Sequence, residues 1–232
     1  MKVLISGASS GIGMSIAKAM LEDGHEVIGF ARRREKLNSL VEEGKGKFHA
    51  FQCDVCDVDS LKKMKDSIAA EIGTVDVLVN NAGVGYLGEM RGAKLEEWHA
   101  MFDINVKGLL SLTHLFLEDL IENKGFIFNI DSVAGHEVYP TAVVYCSSKW
   151  AVKAISMGLE KELRGKVKIC NISPGAVETE FVEHTSDDEK RKQMKEQFQD
   201  VLNGEDIAAA VRFAIGQRER SAINEITIRP WK

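Results

Sequence analysis

The sequence predicts an α/β fold in which helices cover both faces of a doubly wound parallel sheet of about seven strands. Short apolar runs alternate with longer segments of helical period along the whole chain, which is typical of repeated strand–helix units. Most of these runs are apolar at successive positions, as expected for strands that are buried on both faces. A length of 232 residues without a linker, repeat or low-complexity segment indicates a single domain, residues 1–232.

The predicted elements alternate in chain order. Strands are expected where the apolar runs lie, at residues 3–5, Val27–Phe30, Phe48–Phe51, Val75–Val79, Gly125–Ile130, Val167–Ile172 and Glu225–Ile228. Helices are expected between them, at residues 12–23, 34–43, 58–72, 95–121, 142–164 and 204–217. Because right-handed crossovers wind such a sheet in both directions, its ligand is expected at the carboxyl ends of the strands.

A glycine-rich turn links the first strand to the first helix. The stretch Ser6–Gly13 has the spacing G-x-x-x-G-x-G directly after the strand. Glycine lets a backbone approach a ligand closely, and the N–H groups at a helix N-terminus attract phosphate. The turn therefore predicts a dinucleotide pyrophosphate site, although such a turn can also be plain loop structure. Its predicted contacts are Gly7, Ser9, Ser10, Gly11, Ile12 and Gly13.

The turn after the second strand is basic. Arg32 and Arg33 lie about 20 residues beyond the glycine turn, where an NAD-binding protein usually carries an acid for the ribose 2′-hydroxyl. Ala31 supplies no acid, and guanidinium groups suit a 2′-phosphate by charge and by their forked donors. The sequence therefore favours NADP, and the alternative is a solvated basic helix start from Arg32 to Lys36.

Polar residues also follow the third and fourth predicted strands. Asp54 and Val55 stand where an acid could accept a hydrogen bond from an adenine amino group. After the next strand, Asn80 leads into a small, amide-rich run that could tie strands together beneath a cofactor or could be only a turn. The predicted cofactor contacts in that run are Asn81, Ala82 and Gly83.

The catalytic candidates lie in the second half of the chain. Tyr145 and Lys149 are four positions apart in a helical segment, which places them on one helix face. A nearby ammonium favours a phenolate, so we expect the pKa of Tyr145 to fall below about 10 and the phenol to exchange protons with an alcohol. Ser132 could bond the same substrate oxygen, and Asn105 could bond backbone or hold a water. Taken singly, these residues could equally be an exposed helix pair, a loop serine and a structural amide.

In their order, these motifs resemble those of the short-chain dehydrogenases/reductases. The resemblance covers nearly the whole chain, most strongly residues 2 to about 180. It implies a Rossmann fold and hydride transfer with NADP. The ending Asn224–Pro230 is similar to members that act on 3-hydroxy acids and serine-like alcohols. The motifs that carry the resemblance are Ser6-Gly7-x-x-x-Gly11-x-Gly13, Asn80-Asn81-Ala82-Gly83, Asn105, Ser132, Tyr145-x-x-x-Lys149 and Pro174-Gly175.

The resemblance also implies a role for each matching residue. Tyr145 would be the acid/base, and Ser132 would position the substrate carbonyl. Lys149 would bind the ribose and tune the tyrosine, and Asn105 would anchor a proton-relay water. A segment after the sixth strand would contact the nicotinamide carboxamide through Pro174, Gly175, Val177 and Thr179.

Some parts of the site stay open. Ser6 replaces the usual threonine but keeps a hydroxyl, whereas Asp131 stands beside Ser132 where a second serine is common, so the hydrogen bonding at this strand end is undetermined. The substrate pocket is expected from Gly85–Leu87, Val133–Tyr139 and a flexible charged lid at about 180–200.

Composition excludes several classes of partner. A net charge of −5 with interleaved acids and bases gives no footprint for nucleic acid, and no apolar run approaches the roughly 20 residues that span a membrane. Four scattered cysteines and a start without a leader segment predict a cytoplasmic protein, and no metal ion is expected. Surplus apolar residues on the two long helices predict a homodimer or homotetramer, unless they belong to the core; they are Leu109, Leu112, Leu115, Phe116, Trp150, Ala154 and Met157.

Two functions fit these features. The first is an NADP-dependent oxidoreductase that moves hydride between the cofactor and a secondary alcohol or ketone, such as a 3-hydroxy acid or a dicarbonyl. The second is a catalytically silent regulator that senses NADP. A regulator would not need Ser132, Tyr145 and Lys149 together, so the sequence favours the enzyme.

Overall fold

The computed structural model describes residues 1–179 and 201–231, and within this part of the chain seven strands form one sheet. Every pair of neighbours is parallel, and the order across the sheet is β3-β2-β1-β4-β5-β6-β7. The doubly wound parallel sheet that the sequence predicts is confirmed. The strands are β1 (Lys2–Ser6), β2 (Glu26–Ala31), β3 (Phe48–Gln52), β4 (Val77–Asn80), β5 (Phe126–Ile130), β6 (Lys168–Pro174) and β7 (Glu225–Ile228).

Helices connect successive strands and pack on both faces of the sheet. Short 3₁₀ turns at Arg34–Leu37 and Val133–Gly135 precede the second and the sixth helix. The predicted lid at about 180–200 lies outside the described residues. The α-helices are α1 (Gly11–Glu22), α2 (Asn38–Gly44), α3 (Val58–Glu71), α4 (Leu95–Phe102), α5 (Leu109–Glu122), α6 (Val143–Glu162) and α7 (Gly204–Ile215).

Alternate residues of each strand enter two separate cores. On one face, Val3 and Ile5 of β1 pack with α1 and α7, whereas on the other face Leu4 packs with α3 and α5. Each core contains side chains with no exposed surface, such as Ile16 and Phe116. Full burial of a large apolar side chain contributes about 1.5–3 kcal/mol, so the two cores hold the sheet rigid beneath its carboxyl edge.

The predicted helix at 95–121 is not continuous. A π-helical segment, Asp103–Gly108, separates α4 from α5 and contains Asn105. The Asn105 amide bonds to backbone of the loop after β4, and Gly108 lies so close to Val55 that a β-carbon there would be 2.7 Å from a Val55 methyl. Hydrophobic periodicity does not distinguish such a π-helical segment from a continuous α-helix.

The apolar residues expected at an interface divide between the core and the surface. Leu109, Leu112 and Phe116 are buried in the protomer, which corrects their assignment to an interface. Trp150 and Met157 on α6 are 46% and 53% exposed.

The described helices include no segment with the length and apolar character that crossing a bilayer requires. All four cysteines are free thiols.

Candidate active site

The carboxyl ends of β1 and β4 form the crevice at which the order of strands reverses along the chain. After β1 the backbone turns through Gly7 and Gly11, whose φ angles of 68° and 50° favour glycine. A β-carbon on Gly13 would lie 2.4 Å from the carbonyl oxygen of Gly7. Glycine at this position is therefore what allows α1 to begin so close to the turn.

The N-terminus of α1 fits an anion. Within the described chain, Ser10 makes no side-chain capping bond and the first turn of α1 carries no acidic residue. The unpaired N–H groups and the partial positive charge of the helix therefore remain available to a phosphate. Five predicted contacts of this turn line a cavity: Gly7, Ser9, Ser10, Gly11 and Ile12.

Two polar side chains tie β1 to the loop after β4. The Ser6 hydroxyl accepts hydrogen bonds from the backbone N–H groups of Asn81 and Ala82, each at 3.0 Å. The Asn81 amide nitrogen donates to the carbonyl oxygens of Ser6 and Gly7 at 2.9 and 3.2 Å. The prediction that an amide here ties strands together is confirmed. The clamp places Asn81, Ala82 and Gly83 against the cavity.

The cavity continues towards the basic turn after β2. Arg32 and Arg33 are exposed and line the cavity, next to a buried Ala31. Asp54 and Val55 line it after β3. A cationic rim without an acid at residue 31 fits a ribose that carries a 2′-phosphate.

Tyr145, Ser132 and Lys149 come together at the carboxyl ends of β4 and β5. Tyr145 and Lys149 line the cavity from α6, and a hydrogen bond joins the side chains of Ser132 and Tyr145. Lys149 is buried, and its ammonium donates to the carbonyl oxygen of Ile130 at 2.9 Å. The lysine nitrogen is 6.0 Å from the centre of the Tyr145 ring. The phenol and the ammonium thus line one cavity, and the Ser132 hydroxyl is held next to them by its hydrogen bond to the phenol.

The expected lowering of the Tyr145 pKa is wrong for this structure. Burial raises the pKa of the phenol, its hydrogen bond with Ser132 opposes the rise, and the charge of Asp131 adds to it. Burial also lowers the pKa of Lys149. Spacing along a helix brings the two groups close, but it does not show how strongly both are desolvated.

Asn105 is buried behind the cavity wall. Its amide oxygen accepts from the backbone N–H of Val84 at 2.8 Å, and its amide nitrogen donates to the Val84 carbonyl oxygen at 2.9 Å. A third bond, at 3.0 Å, runs to the Ser148 hydroxyl. The bonds to Val84 are the backbone bonds that the sequence offered as one possibility, and the water-anchoring role stays a prediction.

A small hydrophobic cluster packs against Tyr145. Both predicted pocket segments, Gly85–Leu87 and Val133–Tyr139, contribute to it. The cluster supports the position of the Tyr145 side chain beside the cavity. The residues that pack together here are Leu87, Ala134, Tyr139, Ala142, Tyr145 and Cys146.

Part of the predicted nicotinamide segment lies away from the described cavity. The Gly175 N–H donates to the carbonyl oxygen of Ile228, and Val177 pairs with Leu202 in a short parallel bridge. Thr179 does line the cavity, and it lies over the glycine turn, 2.9 Å from where a β-carbon on Gly11 would be. Predicted site residues that do not line the cavity are Gly13, Asn105, Ser132, Pro174, Gly175 and Val177.

Sequence reasoning did not assign several residues of the cavity wall. Most of them are apolar residues next in sequence to a predicted contact, at or just after the end of a strand. Their nearness to a strand end could have identified them from the sequence. Asp131 differs, because it is a buried carboxylate beside Lys149. The unassigned wall residues are Phe30, Ala31, Cys53, Val84, Ile104, Ile130 and Asp131.

Across residues 1–179 and 201–231, no cluster of three or more His, Cys, Asp or Glu side chains could hold a metal ion.

Comparison with known proteins gives one consistent family. A family model described as short chain dehydrogenase matches residues 1–190. An uncharacterized oxidoreductase of Staphylococcus saprophyticus is 35% identical over 98% of this chain and 95% of its own length. The serine 3-dehydrogenase of Rhizobium radiobacter is 34% identical over 98% of this chain and 93% of its own. A solved structure of serine dehydrogenase in its closed form, complexed with NADP⁺, is 33% identical, with a TM-score of 0.93 over 98% of this chain and 94% of that one.

Proposed function

Because this chain belongs to the short-chain dehydrogenase family and is an NADP-dependent oxidoreductase, we propose that it transfers hydride between NADP and the hydroxyl-bearing carbon of a small 3-hydroxy acid. The observation that carries the proposal is that Tyr145 and Lys149 line the cavity while the Ser132 hydroxyl is hydrogen-bonded to the Tyr145 phenol. A protein that only sensed NADP would have no use for a buried ammonium beside such a pair.

The chain's own residues would manage the proton and the orientation. NADP, when bound, supplies the hydride acceptor or donor. In alcohol oxidation, the Tyr145 oxygen would take the hydroxyl proton as the C–H hydride leaves, and in reduction it would return that proton to the carbonyl oxygen. Ser132 would hold the same oxygen by a hydrogen bond, and Lys149 would bind the ribose.

The cofactor fits the described residues. The uncapped N-terminus of α1 and the positive-φ glycines suit the pyrophosphate, and Arg32 and Arg33 suit the ribose phosphate.

Asn105 would anchor a water that relays protons to Lys149.

The substrate class is supported by similarity to named relatives. Two relatives at 34% identity over nearly the full chain are named serine 3-dehydrogenase. This chain also has the same overall arrangement of elements as a solved serine dehydrogenase.

A substrate panel tests the proposal. Purified protein is incubated with NADP⁺ and serine, 3-hydroxybutyrate, 3-hydroxypropionate or a simple secondary alcohol, and NADPH formation is followed by absorbance. We expect a higher kcat/KM for at least one 3-hydroxy acid than for an alcohol that lacks the carboxylate. Tight NADPH binding with no turnover of any compound, including dicarbonyls in the reverse direction, would contradict the proposal and favour a regulator.

A further inference from the structure

A row of polar side chains crosses the sheet beside the catalytic group. Asn80, Asn129 and Asn171 pair in register on β4, β5 and β6, and the amide of Asn80 donates to that of Asn129 at 2.9 Å. The Ser156 hydroxyl links the other two, accepting from Asn129 at 2.8 Å and donating to Asn171 at 3.1 Å. Buried polar groups cost stability unless they are hydrogen-bonded, so the positions of these side chains are tightly constrained.

Asp131 lies at the end of this row and is only 4% exposed. One carboxylate oxygen accepts from the Asn171 amide at 3.0 Å, and the other has no hydrogen-bond partner within the described chain. A β-carbon on Gly135 would lie 2.5 Å from the carboxylate, so glycine at that position makes the room for it. A buried carboxylate with one unpartnered oxygen costs free energy, which an opposite charge can offset.

The charged groups that face Asp131 come from two elements. On α6, Lys149 interacts with it electrostatically, and Tyr145 is the other titratable group. From the loop before α6, His136 contributes a weaker attraction, and it lies 2.9 Å from the Ser173 hydroxyl and 3.1 Å from Glu225. On β6 the neighbours are Asn171 and Ser173, which carry no charge.

Hydrogen bonds from β6 connect the Asp131 carboxylate to a second set of polar side chains. Asn171 donates both to Asp131 and to the Ser173 hydroxyl, at 3.0 and 3.2 Å. Ser173 in turn bonds His136, whose second ring nitrogen lies 2.7 Å from the ammonium of Lys153. A chain of polar contacts thus runs from Asp131 through Asn171, Ser173 and His136 to Glu225 at the start of β7.

We propose that Asp131 is a positioning residue that keeps Lys149 in its charged form, the form that would bind ribose in the proposed function. Lys149 is otherwise desolvated, and its ammonium donates to the backbone carbonyl of Ile130, a neutral acceptor. Burial raises the pKa of Asp131, and the charge of Lys149, the Asn171 amide, His136 and the Ser132 backbone N–H oppose that rise, so the carboxylate and the ammonium each favour the charged form of the other. A serine in place of Asp131 would leave the ammonium without that charge.

The direction of the effect follows from the two opposing influences on Lys149. Burial lowers the pKa of Lys149, and Asp131 raises it. The same negative charge raises the pKa of Tyr145. Removing it should therefore make both groups lose their protons at lower pH.

Titration of Lys149 by NMR tests the proposal without substrate or cofactor. Lysine labelled with ¹³C at Cε is incorporated, and the Lys149 signal is assigned by its loss in Lys149→Arg. In Asp131→Asn we expect the Lys149 titration midpoint to fall by about half a pH unit or more, the scale of one lost charge interaction. Asp131→Ser removes the charge with a smaller side chain and should give the same shift if the asparagine variant does not fold.

Asp119→Asn is the matched control. Asp119 is also a partly buried carboxylate, and it pairs with Lys65 at 2.6 Å and accepts from the Val75 N–H at 3.2 Å. Its loss should lower the melting temperature and leave the Lys149 midpoint unchanged. An unchanged midpoint in the folded Asp131 variant would overturn the proposal. Because this measurement needs no turnover, a shifted midpoint in a protein inactive on every hydroxy acid would count against the proposed function alone.

Discussion

At Tyr145, the surroundings favour the protonated phenol. Burial and the charge of Asp131 raise its pKa, and the hydrogen bond with Ser132 compensates only in part. A group whose pKa is raised stays protonated as the pH rises through neutrality, so Tyr145 is prepared to donate a proton to a carbonyl oxygen. In the oxidative direction it needs a nearby positive charge to accept one, which gives the charge state of Lys149 its importance.

Tyr145→Phe should remove the proton transfer and little else. We expect kcat to fall by roughly 100-fold or more, the range that general acid–base catalysis spans, with NADPH affinity kept within a few-fold. Steady-state rates and fluorescence titration with NADPH measure the two effects. Ser147→Ala, which removes an exposed hydroxyl from α6, is the control and should behave like the native protein. Near-native turnover by Tyr145→Phe would exclude the tyrosine as the acid/base.

The choice of cofactor rests on the exposed arginines after β2. We predict a kcat/KM for NADPH about 10- to 100-fold above that for NADH, since one charge-assisted hydrogen bond to the phosphate contributes about 1.5–3 kcal/mol and solvent exposure favours the low end of that range. The preference should shrink with added salt, which screens exposed charges. Ala31→Asp combined with Arg32→Ala should reverse it by adding a hydroxyl acceptor and removing a phosphate donor. Arg34→Ala is the control, because Arg34 lies outside the cavity wall, and it should keep the preference for NADPH. A native protein that prefers NADH would contradict the prediction.

Among the elements, α1 and the π-helical segment place the site. The helix begins against the turn because Gly13 has no side chain, and the widened turn at 103–108 carries Asn105 to the loop after β4. π-helical segments are uncommon and often occur at functional sites, because they cost hydrogen-bond geometry that only a local gain offsets. Here the gain is a buried amide with three hydrogen bonds under the cavity.

Gly13→Ala should damage both stability and cofactor binding. The new methyl would lie 2.4 Å from the Gly7 carbonyl and 2.5 Å from the Asn81 amide, so the turn must move. Overpacking of this kind costs about 1–3 kcal/mol, or a few degrees of melting temperature per kcal/mol in a chain of this size. Gly158→Ala is the matched control, because that helical glycine has nothing within 4 Å of a β-carbon. Calorimetry measures the melting temperature of each variant, and titration measures its affinity for NADPH. If Gly13→Ala binds NADPH as tightly as Gly158→Ala, Gly13 has no role in cofactor binding.

For the whole molecule, the exposed apolar residues of α4, α5 and α6 predict assembly. Phe102, Leu110, Trp150 and Met157 are 37–53% exposed. Ala154 is also exposed, and it lies on one stripe of α6 with Trp150 and Met157. Large apolar side chains in such a stripe are typical of an interface between copies.

Light scattering tests the assembly. We expect a mass of at least twice 25.7 kDa at micromolar concentration, and a smaller species for Trp150→Glu combined with Met157→Lys, because charges in an apolar interface are costly. Phe213→Glu introduces a charge at an exposed residue of α7, away from this surface, and is the control. A native mass near that of one chain would refute the prediction.

Much of the fold could be predicted from the sequence because it depends on local patterns. Apolar runs, helical periods and turn residues are properties of adjacent residues, so the strands and most helices were predicted to within a few positions. The glycine turn, its clamp by Asn81 and the nearness of Tyr145, Ser132 and Lys149 also follow, since parallel strands bring their carboxyl ends to one edge.

Only the tertiary structure decided how strongly each site group is desolvated and which distant residues compensate for it. The pKa of Tyr145 moves opposite to the expectation because burial outweighs the helical neighbour. Leu112 and Phe116 enter the core because α5 presents them to the sheet, not to a partner. The link from Asp131 to Asn171 joins residues 40 positions apart. Desolvation and long-range hydrogen bonds depend on what surrounds an atom in space, and no pattern of neighbours along the chain contains that information.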